Sequence, residues 1–208
     1  MRIDEQGDLD DLSINALTGP FEARLTQPIE IIDSTLREGE QPPGVVFSPD
    51  QKFEIAQALN EVGVHRVSLG FPAVSAAEAA AVKRMAHAGF KFRKGALVRM
   101  LRSDIDIAAD CGVDAVMLFL GGSDSHLYDK HRMTEDDALR KIDDSIRHAR
   151  GKGIGCGFGI EDFSRAPLAR SLRLFQAAID AGATELGVAD TLGVLTPTST
   201  FRIISLLT

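Results

Sequence analysis

The sequence predicts an α/β protein of the (β/α)8 TIM-barrel type, incomplete, with about six strand–helix units present and strands seven and eight missing. Apolar runs typical of buried strands alternate with helical patterns from residue 29 onward. Three predicted helices end in similar sequence segments, in which a glycine ends the helix and a strand follows: EVGVHRV, DCGVDAV and DAGATEL. Each unit takes roughly 30 residues, the usual share of one unit in a barrel of about 250 residues.

Strand and helix signals place the elements in order. The first strand is predicted at residues 29–36, and the first long helix has Ser48 as N-cap, Pro49 in its first turn and Gly63 just past its end. Ser103 is predicted to cap a later helix. The other predicted strands are HRVSLGF, FKFRKGALVR, DAVMLFLGG, IGCGFGIED and TELGVAD, and the other helices begin at SAAEAAAVK, SDIDIAAD, TEDDALRK, PLARSLRL and TPTSTFRI.

A doubly wound open sheet is the structural alternative to the barrel. The predicted strands are near-continuous apolar runs, which suits a sheet that is covered on both faces or closed into a barrel. A doubly wound fold would place a G-x-G-x-x-G phosphate loop after the first strand, and DSTLREGEQPPG lacks that pattern. The sequence therefore favours the barrel.

Composition and charge exclude several classes of partner. The 23 basic and 30 acidic residues give a formal charge of −7, which argues against a nucleic-acid partner and against an anionic membrane surface. Cys111 and Cys156 form no C-x-x-C pair, as expected of a protein in a reducing cytoplasm. Residues 1–28 are polar and resemble neither a signal peptide nor a membrane span, so we expect a loose leader before a partial barrel domain at 29–208.

Polar residues recur where the predicted strands end. Because the carboxyl ends of barrel strands converge on one face, these side chains are candidates for one site. Any single one of them could instead be a helix cap or a surface group, and Asp162, Asp190 and Thr196 suit such roles. The set comprises Arg37, Glu38 and Gln41 after strand one, Ser68 and Pro72 after strand two, Arg99 after strand three, Ser123, Asp124 and His126 after strand four, Glu161 and Asp162 after strand five, and Asp190 and Thr191 after strand six.

Five segments at these strand ends resemble one known family. They are DSTLREGEQPPGVVFS, SLGFPAVS, GGSDSHLYDKHRMTEDDAL, GIEDFSRA and GVADTLGVLTP. Together they resemble the catalytic domain of the homocitrate synthase and 2-isopropylmalate synthase family, metal-dependent TIM-barrel acyltransferases related to hydroxymethylglutaryl-CoA lyase. The resemblance runs from about residue 29 to the last residue, with the segments in family order.

The resemblance implies a Claisen-type condensation of acetyl-CoA, or another acyl-CoA, with a 2-oxo acid, as in amino-acid biosynthesis. It implies a divalent metal (Mg, Mn or Zn) that acts as Lewis acid, with Glu38 as a metal ligand. Arg37 matches the arginine that stabilises charge on the reacting oxygens, and Glu161 matches the acid/base glutamate. His126 is a candidate for proton transfer, and a structural role for it stays open. The substrate-binding candidates are Gln41, Ser123, Thr191 and, from its place after strand three, Arg99.

The chain also departs from the family pattern. The family's other two metal ligands form a His-x-His pair on strand seven, and this sequence contains no His-x-His. Ser68 stands where the family usually has glutamate, and Leu101 where the homocitrate branch has histidine. Gly157 replaces the arginine that grips the distal carboxylate in that branch. A smaller or less charged acceptor is therefore expected.

The missing strands leave the chain's activity open. A homo- or hetero-oligomer that supplies strands seven and eight is expected, because a six-stranded piece leaves two unpaired edges. The chain would then be part of a split enzyme. The alternatives are a catalytically impaired homologue that acts as a binding or assembly subunit, a lyase or aldolase of the same superfamily, and a remnant of a longer protein.

Overall fold

A computed structural model describes residues 29–207, so the predicted leader at 1–28 lies outside the described residues. Six strands form one sheet in chain order, with all neighbours parallel. The strands are β1 (Ile32–Asp33), β2 (Arg66–Ser68), β3 (Arg93–Arg99), β4 (Ala115–Gly121), β5 (Gly155–Glu161) and β6 (Glu185–Val188). The α-helices are α1 (Thr35–Glu38), α2 (Pro49–Val62), α3 (Ala76–Ala86), α4 (Arg102–Cys111), α5 (Glu135–Gly151), α6 (Leu168–Asp180) and α7 (Pro197–Leu207). Within residues 29–207, no helix combines the length and the apolar character needed to cross a bilayer.

The ends of α2 and α4 follow from local chemistry. Ser48 and Gln51 form a reciprocal capping box at the start of α2, and Gly63 ends it in the left-handed conformation at φ 83°, as predicted. Gly112 ends α4 in the same way at φ 81°. The predicted cap at Ser103 is wrong, because α4 begins at Arg102 and Ser103 lies inside its first turn.

The first strand is shorter than the predicted 29–36. It ends at Asp33, whose carboxylate oxygens accept hydrogen bonds from the Thr35 amide at 2.9 Å and the Thr35 hydroxyl at 3.0 Å. This local side-chain bonding competes with strand pairing and turns the chain into the short helix α1. The helical turn places the charged LRE segment above the end of β1.

The main core lies between the outer face of the sheet and the helices. Side chains such as Val67, Val98, Leu118 and Phe158 are at most 1% exposed and belong to one cluster with helix residues such as Ile142. Burial of this kind stabilises by about 25 cal/mol per Å² of apolar surface. The outer face of the strands therefore fixes the sheet against its helices.

The sheet curls back on itself around its inner face. Arg66 on β2 and Glu185 on β6 form an ion pair at 2.7 Å, although three strands lie between them in the sheet. Arg93 on β3 approaches the same carboxylate at 3.6 Å. Only a strongly curved sheet brings these side chains together.

The strand pairings continue around the sheet in chain order. Glu185 pairs with Gly157, Gly157 with Met117, and Met117 with Leu97, and Leu97 N donates a hydrogen bond to Gly70 O beyond β2. Each strand thus lies beside its neighbour in the chain, which is the strand order of a (β/α)8 barrel. The described residues are an incomplete (β/α)8 barrel, as predicted.

We expect the Arg66–Glu185 ion pair to stabilise the curled sheet more than an exposed pair of similar length does. Its side chains are only 17% and 25% exposed, so a double-mutant cycle with Arg66→Met and Glu185→Gln should give a coupling energy of about 1–2 kcal/mol. The Arg84–Asp50 pair, at 2.6 Å and 48% and 79% exposed, is the matched control and should give less than about 0.5 kcal/mol. Urea unfolding measures both cycles. Equal coupling energies would contradict the argument that partial burial inside the curled sheet strengthens the Arg66–Glu185 pair.

Candidate active site

Arg37 and Glu38 lie together at the carboxyl end of β1. They form an ion pair with each other, and Arg37 Nε donates to Ser68 Oγ at 3.3 Å. Leu36, between the strand and these charges, is fully buried and anchors α1 in the core. Arg37 also lines a cavity of about 220 Å³ on the inner face of the sheet, together with Leu97 and Met117. The Arg37 guanidinium thus lines a concave cavity and is paired with the Glu38 carboxylate.

A buried lysine ties this segment to the helices. Lys52 on α2 is 3% exposed and binds Glu40 at 2.6 Å and Glu78 of α3 at 2.5 Å. Burial alone would lower the pKa of Lys52, but the hydrogen bonds and charges of Glu40 and Glu78 outweigh it and raise that pKa. Glu40 also accepts the Phe47 amide at 2.9 Å. The loop that follows Glu38 is therefore held from two sides.

Glu161 and His126 lie together at the ends of β5 and β4. His126 belongs to a π-helical turn, Ser125–Lys130, and its Nδ1 lies 3.8 Å from Glu161 Oε2. Lys130 Nζ approaches the same oxygen at 3.3 Å. His126 Nδ1 is buried and makes no hydrogen bond to any described residue. A carboxylate flanked by an imidazole and an ammonium group is suited to hold and transfer a proton.

A glycine makes room for this imidazole. A Cβ added to Gly121 would lie 2.3 Å from His126 Cβ and Nδ1, so a side chain at this position would displace the ring. The pair Gly121-Gly122 in the sequence is thus the local reason why His126 can lie over the end of β4. The π-helical turn that carries it, closed by the hydrogen bond from His131 N to His126 O at 2.9 Å, is a backbone form often found at functional sites.

Ser123 and Thr191 hold backbone around Glu161. Ser123 is 3% exposed, and its hydroxyl oxygen accepts the His126 amide at 3.3 Å. Thr191 Oγ1 accepts the Asp162 amide at 2.8 Å. Asp162 is fully buried with φ 56°, and its pKa is lowered mainly by the hydrogen bond from Arg165. Asp162 therefore serves the turn after β5, one of the roles the sequence suggested for it.

Arg99 and Gln41 are less closely associated with the other candidates. The Arg99 guanidinium binds Asp104 through Nε at 2.6 Å and Nη2 at 3.1 Å, and lies 5.9 Å from the centre of the Phe71 ring. Gln41 is exposed. The structure thus brings Arg37 close to Glu38, and Glu161 close to His126, as two groups on the carboxyl ends of one sheet.

The described residues do not make a metal site by themselves. Within residues 29–207, no group of three or more His, Cys, Asp or Glu side chains is placed to hold a metal ion. Glu38, the candidate ligand, is paired with Arg37. One carboxylate with water ligands binds a divalent cation weakly. The expected metal therefore needs ligands from outside the described residues.

Sequence reasoning did not single out Lys130 and Arg170. Lys130 lies in a polar loop where only the π-helical turn brings it to Glu161, and no local pattern signals that approach. Arg170 had a detectable signal, because it occupies the apolar stripe of α6 at four-residue spacing with Leu174 and Ala178. A charged residue on such a stripe must find partners in the interior.

The chain matches a known family model and several curated relatives. Residues 28–208 match the HMGL-like model. The chain is 41% identical over 176 residues to homocitrate synthase AksA of Methanopyrus kandleri, covering 85% of this chain and 44% of that protein. It is 42% identical over 174 residues to a probable 2-isopropylmalate synthase of Ignicoccus hospitalis, covering 84% of this chain and 44% of that protein. The chain thus spans less than half the length of these relatives.

Solved structures of similar fold include hydroxymethylglutaryl-CoA lyases. The Bacillus subtilis enzyme superposes with a TM-score of 0.72 at 18% identity, covering 86% of this chain and 64% of that chain. The Brucella melitensis enzyme gives the same TM-score and identity, with coverage of 86% and 67%. At this identity the likeness concerns the fold alone. With the family model matched over nearly all of its described residues, this chain belongs to the HMGL-like family.

Proposed function

We propose that this chain forms the larger part of an acyltransferase active face, where acetyl-CoA or another acyl-CoA condenses with a 2-oxo acid. The observation that carries the proposal is the Glu161 carboxylate, flanked by His126 Nδ1 at 3.8 Å and Lys130 Nζ at 3.3 Å at the end of β5. The names of the relatives with 41% and 42% identity, a homocitrate synthase and a probable 2-isopropylmalate synthase, support the same reaction class.

In the proposed reaction, the Glu161–His126 pair accepts a proton from the methyl group of the acyl-CoA. The resulting carbanion attacks the keto carbon and forms the new carbon–carbon bond. The keto oxygen becomes an alkoxide, which Arg37 stabilises and which takes up a proton to give the 2-hydroxy group. Water then cleaves the thioester, releasing the CoA thiol and a carboxylate.

The remaining candidates have proposed roles in substrate binding. The hydroxyl group of Ser123 lies at the His126 amide and that of Thr191 at the Asp162 amide, and Gln41 is an exposed amide beyond α1. Arg99 uses Nε and Nη2 for Asp104, which leaves Nη1 to bind a substrate carboxylate. These four assignments rest on position and on the family resemblance.

Two further strand–helix units complete the barrel in this proposal, from another part of the polypeptide or from a partner subunit. In the described residues, β1 and β6 each pair with one neighbour only. Exposed apolar side chains lie near both edges, namely Ile31 and Ile32 at β1 and Leu192, Val194 and Phe201 after β6. The added units would cover these edges and supply the metal ligands that Glu38 lacks. A cytoplasmic location fits the two buried, unpaired cysteines.

Thiol release tests the reaction and the role of Glu161. With the completing units, a divalent metal, acetyl-CoA and a 2-oxo acid, we expect turnover that falls about 100-fold or more in Glu161→Gln, because the variant loses the acid/base group. The matched control is Asp143→Asn, which neutralises an exposed carboxylate on α5 that pairs with Arg147. Retention of more than a third of the activity in Glu161→Gln would refute the assignment. No turnover by the completed wild type would favour a non-catalytic binding role.

The preference among 2-oxo acid acceptors tests the shape of the cavity beside Gly157. A Cβ at Gly157 would lie 2.8 Å from Met117 Cε and 3.3 Å from Glu185 Cβ, so methionine occupies the space beside this glycine. We expect an acceptor with a short branched alkyl group, such as 2-oxoisovalerate, to exceed 2-oxoglutarate in kcat/KM by about tenfold or more. Met117→Ala should reduce this preference by enlarging the space beside Gly157. A preference for 2-oxoglutarate would contradict the argument.

A further inference from the structure

Arg170 on α6 is a buried arginine whose contacts converge on one loop. Its side chain is 9% exposed, and a buried guanidinium requires several partners to offset its lost hydration. Those partners are Gly122 O at 3.1 Å, Asp124 Oδ1 at 2.7 Å, Tyr128 OH at 3.1 Å and Glu135 Oε2 at 3.4 Å. Its guanidinium carbon also lies 5.2 Å from the centre of the Tyr128 ring. Gly122, Asp124 and Tyr128 belong to the connection from β4 to α5, and Glu135 is the first residue of α5.

The loop is also held tightly on the side of β5. The Gly122 amide donates to Glu161 O at 2.9 Å. A Cβ at Gly122 would lie 2.6 Å from Ile160 Cγ2 and 2.9 Å from Ala166 Cβ, so the backbone passes β5 without space for a side chain. Arg170 binds the carbonyl of this same residue from the other side. Gly122 is therefore fixed between the end of β5 and α6.

His126 lies between the residues that Arg170 holds. Asp124 precedes it by two positions and Tyr128 follows it by two, so both ends of its short segment contact one guanidinium. The imidazole itself makes no hydrogen bond through Nδ1 to any described residue. Its distance from Glu161 is thus set by the backbone of the loop and by packing over Gly121.

We infer that Arg170 is a positioning residue, which holds the Gly122–Tyr128 segment so that the His126 imidazole stays beside Glu161. This inference rests on the proposed function for its catalytic consequence, and on the contacts of Arg170 alone for its structural consequence. A purely structural role would be to join α6 to α5 through Glu135. Arg173 binds the same Glu135 carboxylate from the next turn of α6 and touches none of the loop residues, so it is the matched control.

Amide hydrogen exchange and kinetics separate the two roles. In Arg170→Met we expect exchange at Leu127 and His131, whose amides bond within the loop, to increase about tenfold or more, while Phe158 and Ile160 in β5 stay protected. In the completed enzyme kcat should fall on the order of 10–100-fold, with the KM for acyl-CoA within about twofold. Arg170→Lys keeps the charge but loses the fork of donors. Its loop exchange and its kcat should lie between those of the wild type and those of Arg170→Met. Arg173→Met should leave both exchange and kcat unchanged.

Further variants keep the test decisive if Arg170→Met does not fold. The Asp124 side chain is 70% exposed and Tyr128 is 47% exposed, so Asp124→Ala with Tyr128→Phe removes two hydrogen-bond acceptors of Arg170 at low risk to the core. This double variant should increase amide exchange at Leu127 and His131, as Arg170→Met does. His126→Ala, which removes the imidazole and leaves the partners of Arg170 in place, should lower kcat with little change in loop exchange.

The outcomes distinguish this inference from the proposed function. Exchange that increases equally throughout the chain, or equal effects of Arg170→Met and Arg173→Met, would overturn the positioning role. Absence of thiol release in the completed wild type would refute the proposed function, and the exchange measurement would still decide whether Arg170 holds the loop. Faster loop exchange with unchanged kcat would show that the loop position does not affect catalysis and would overturn the inference as well.

Discussion

Parallel pairing of strands that are neighbours in the chain is the constraint on which the candidate site depends. It brings the end of β4 beside the end of β5, where the Gly122 amide bonds to the Glu161 carbonyl. It also curls the sheet until Arg66 and Glu185 meet across the inner face. Charged side chains at the strand ends then converge on one face of the sheet, and the loops fix their positions there.

Two buried cations hold those loops, and both come from helices. Lys52 of α2 binds Glu40 after the Arg37–Glu38 pair, and Arg170 of α6 binds Asp124 before His126. In each case the cation is less than 10% exposed, so losing its anionic partner would leave a charge in a poorly hydrated place. The candidate catalytic side chains themselves make few fixed contacts. Rigidity therefore comes from helices that carry no candidate catalytic group.

The sequence predicted the fold and the proximity of several candidate residues, because both depend on local patterns. Apolar runs, helix caps such as Ser48 and glycines such as Gly63 specified the alternation of strands and helices. Residues at strand ends such as Glu161 and His126 were found because a parallel sheet converts strand order into proximity. The length of β1 was overestimated, since the turn depends on the bonding of Asp33 to Thr35. The apolar stripe of α6 indicates that Arg170 is buried, but its bond to Asp124, 46 residues away, is specified by no local pattern.

The two halves of the candidate site differ in how far the described residues complete them. On β4 and β5, Glu161 already has an imidazole and an ammonium group beside it, within a loop fixed on both sides. On β1, the Glu38 carboxylate is paired with Arg37 and belongs to no group of three or more potential metal ligands among the described residues. A cation that bound there would have to compete with a guanidinium for that carboxylate, and this favours a metal only when further ligands are added. In the proposed reaction, proton transfer is thus the part that these residues would provide by themselves, and activation of the 2-oxo acid is the part that would depend on completion of the barrel.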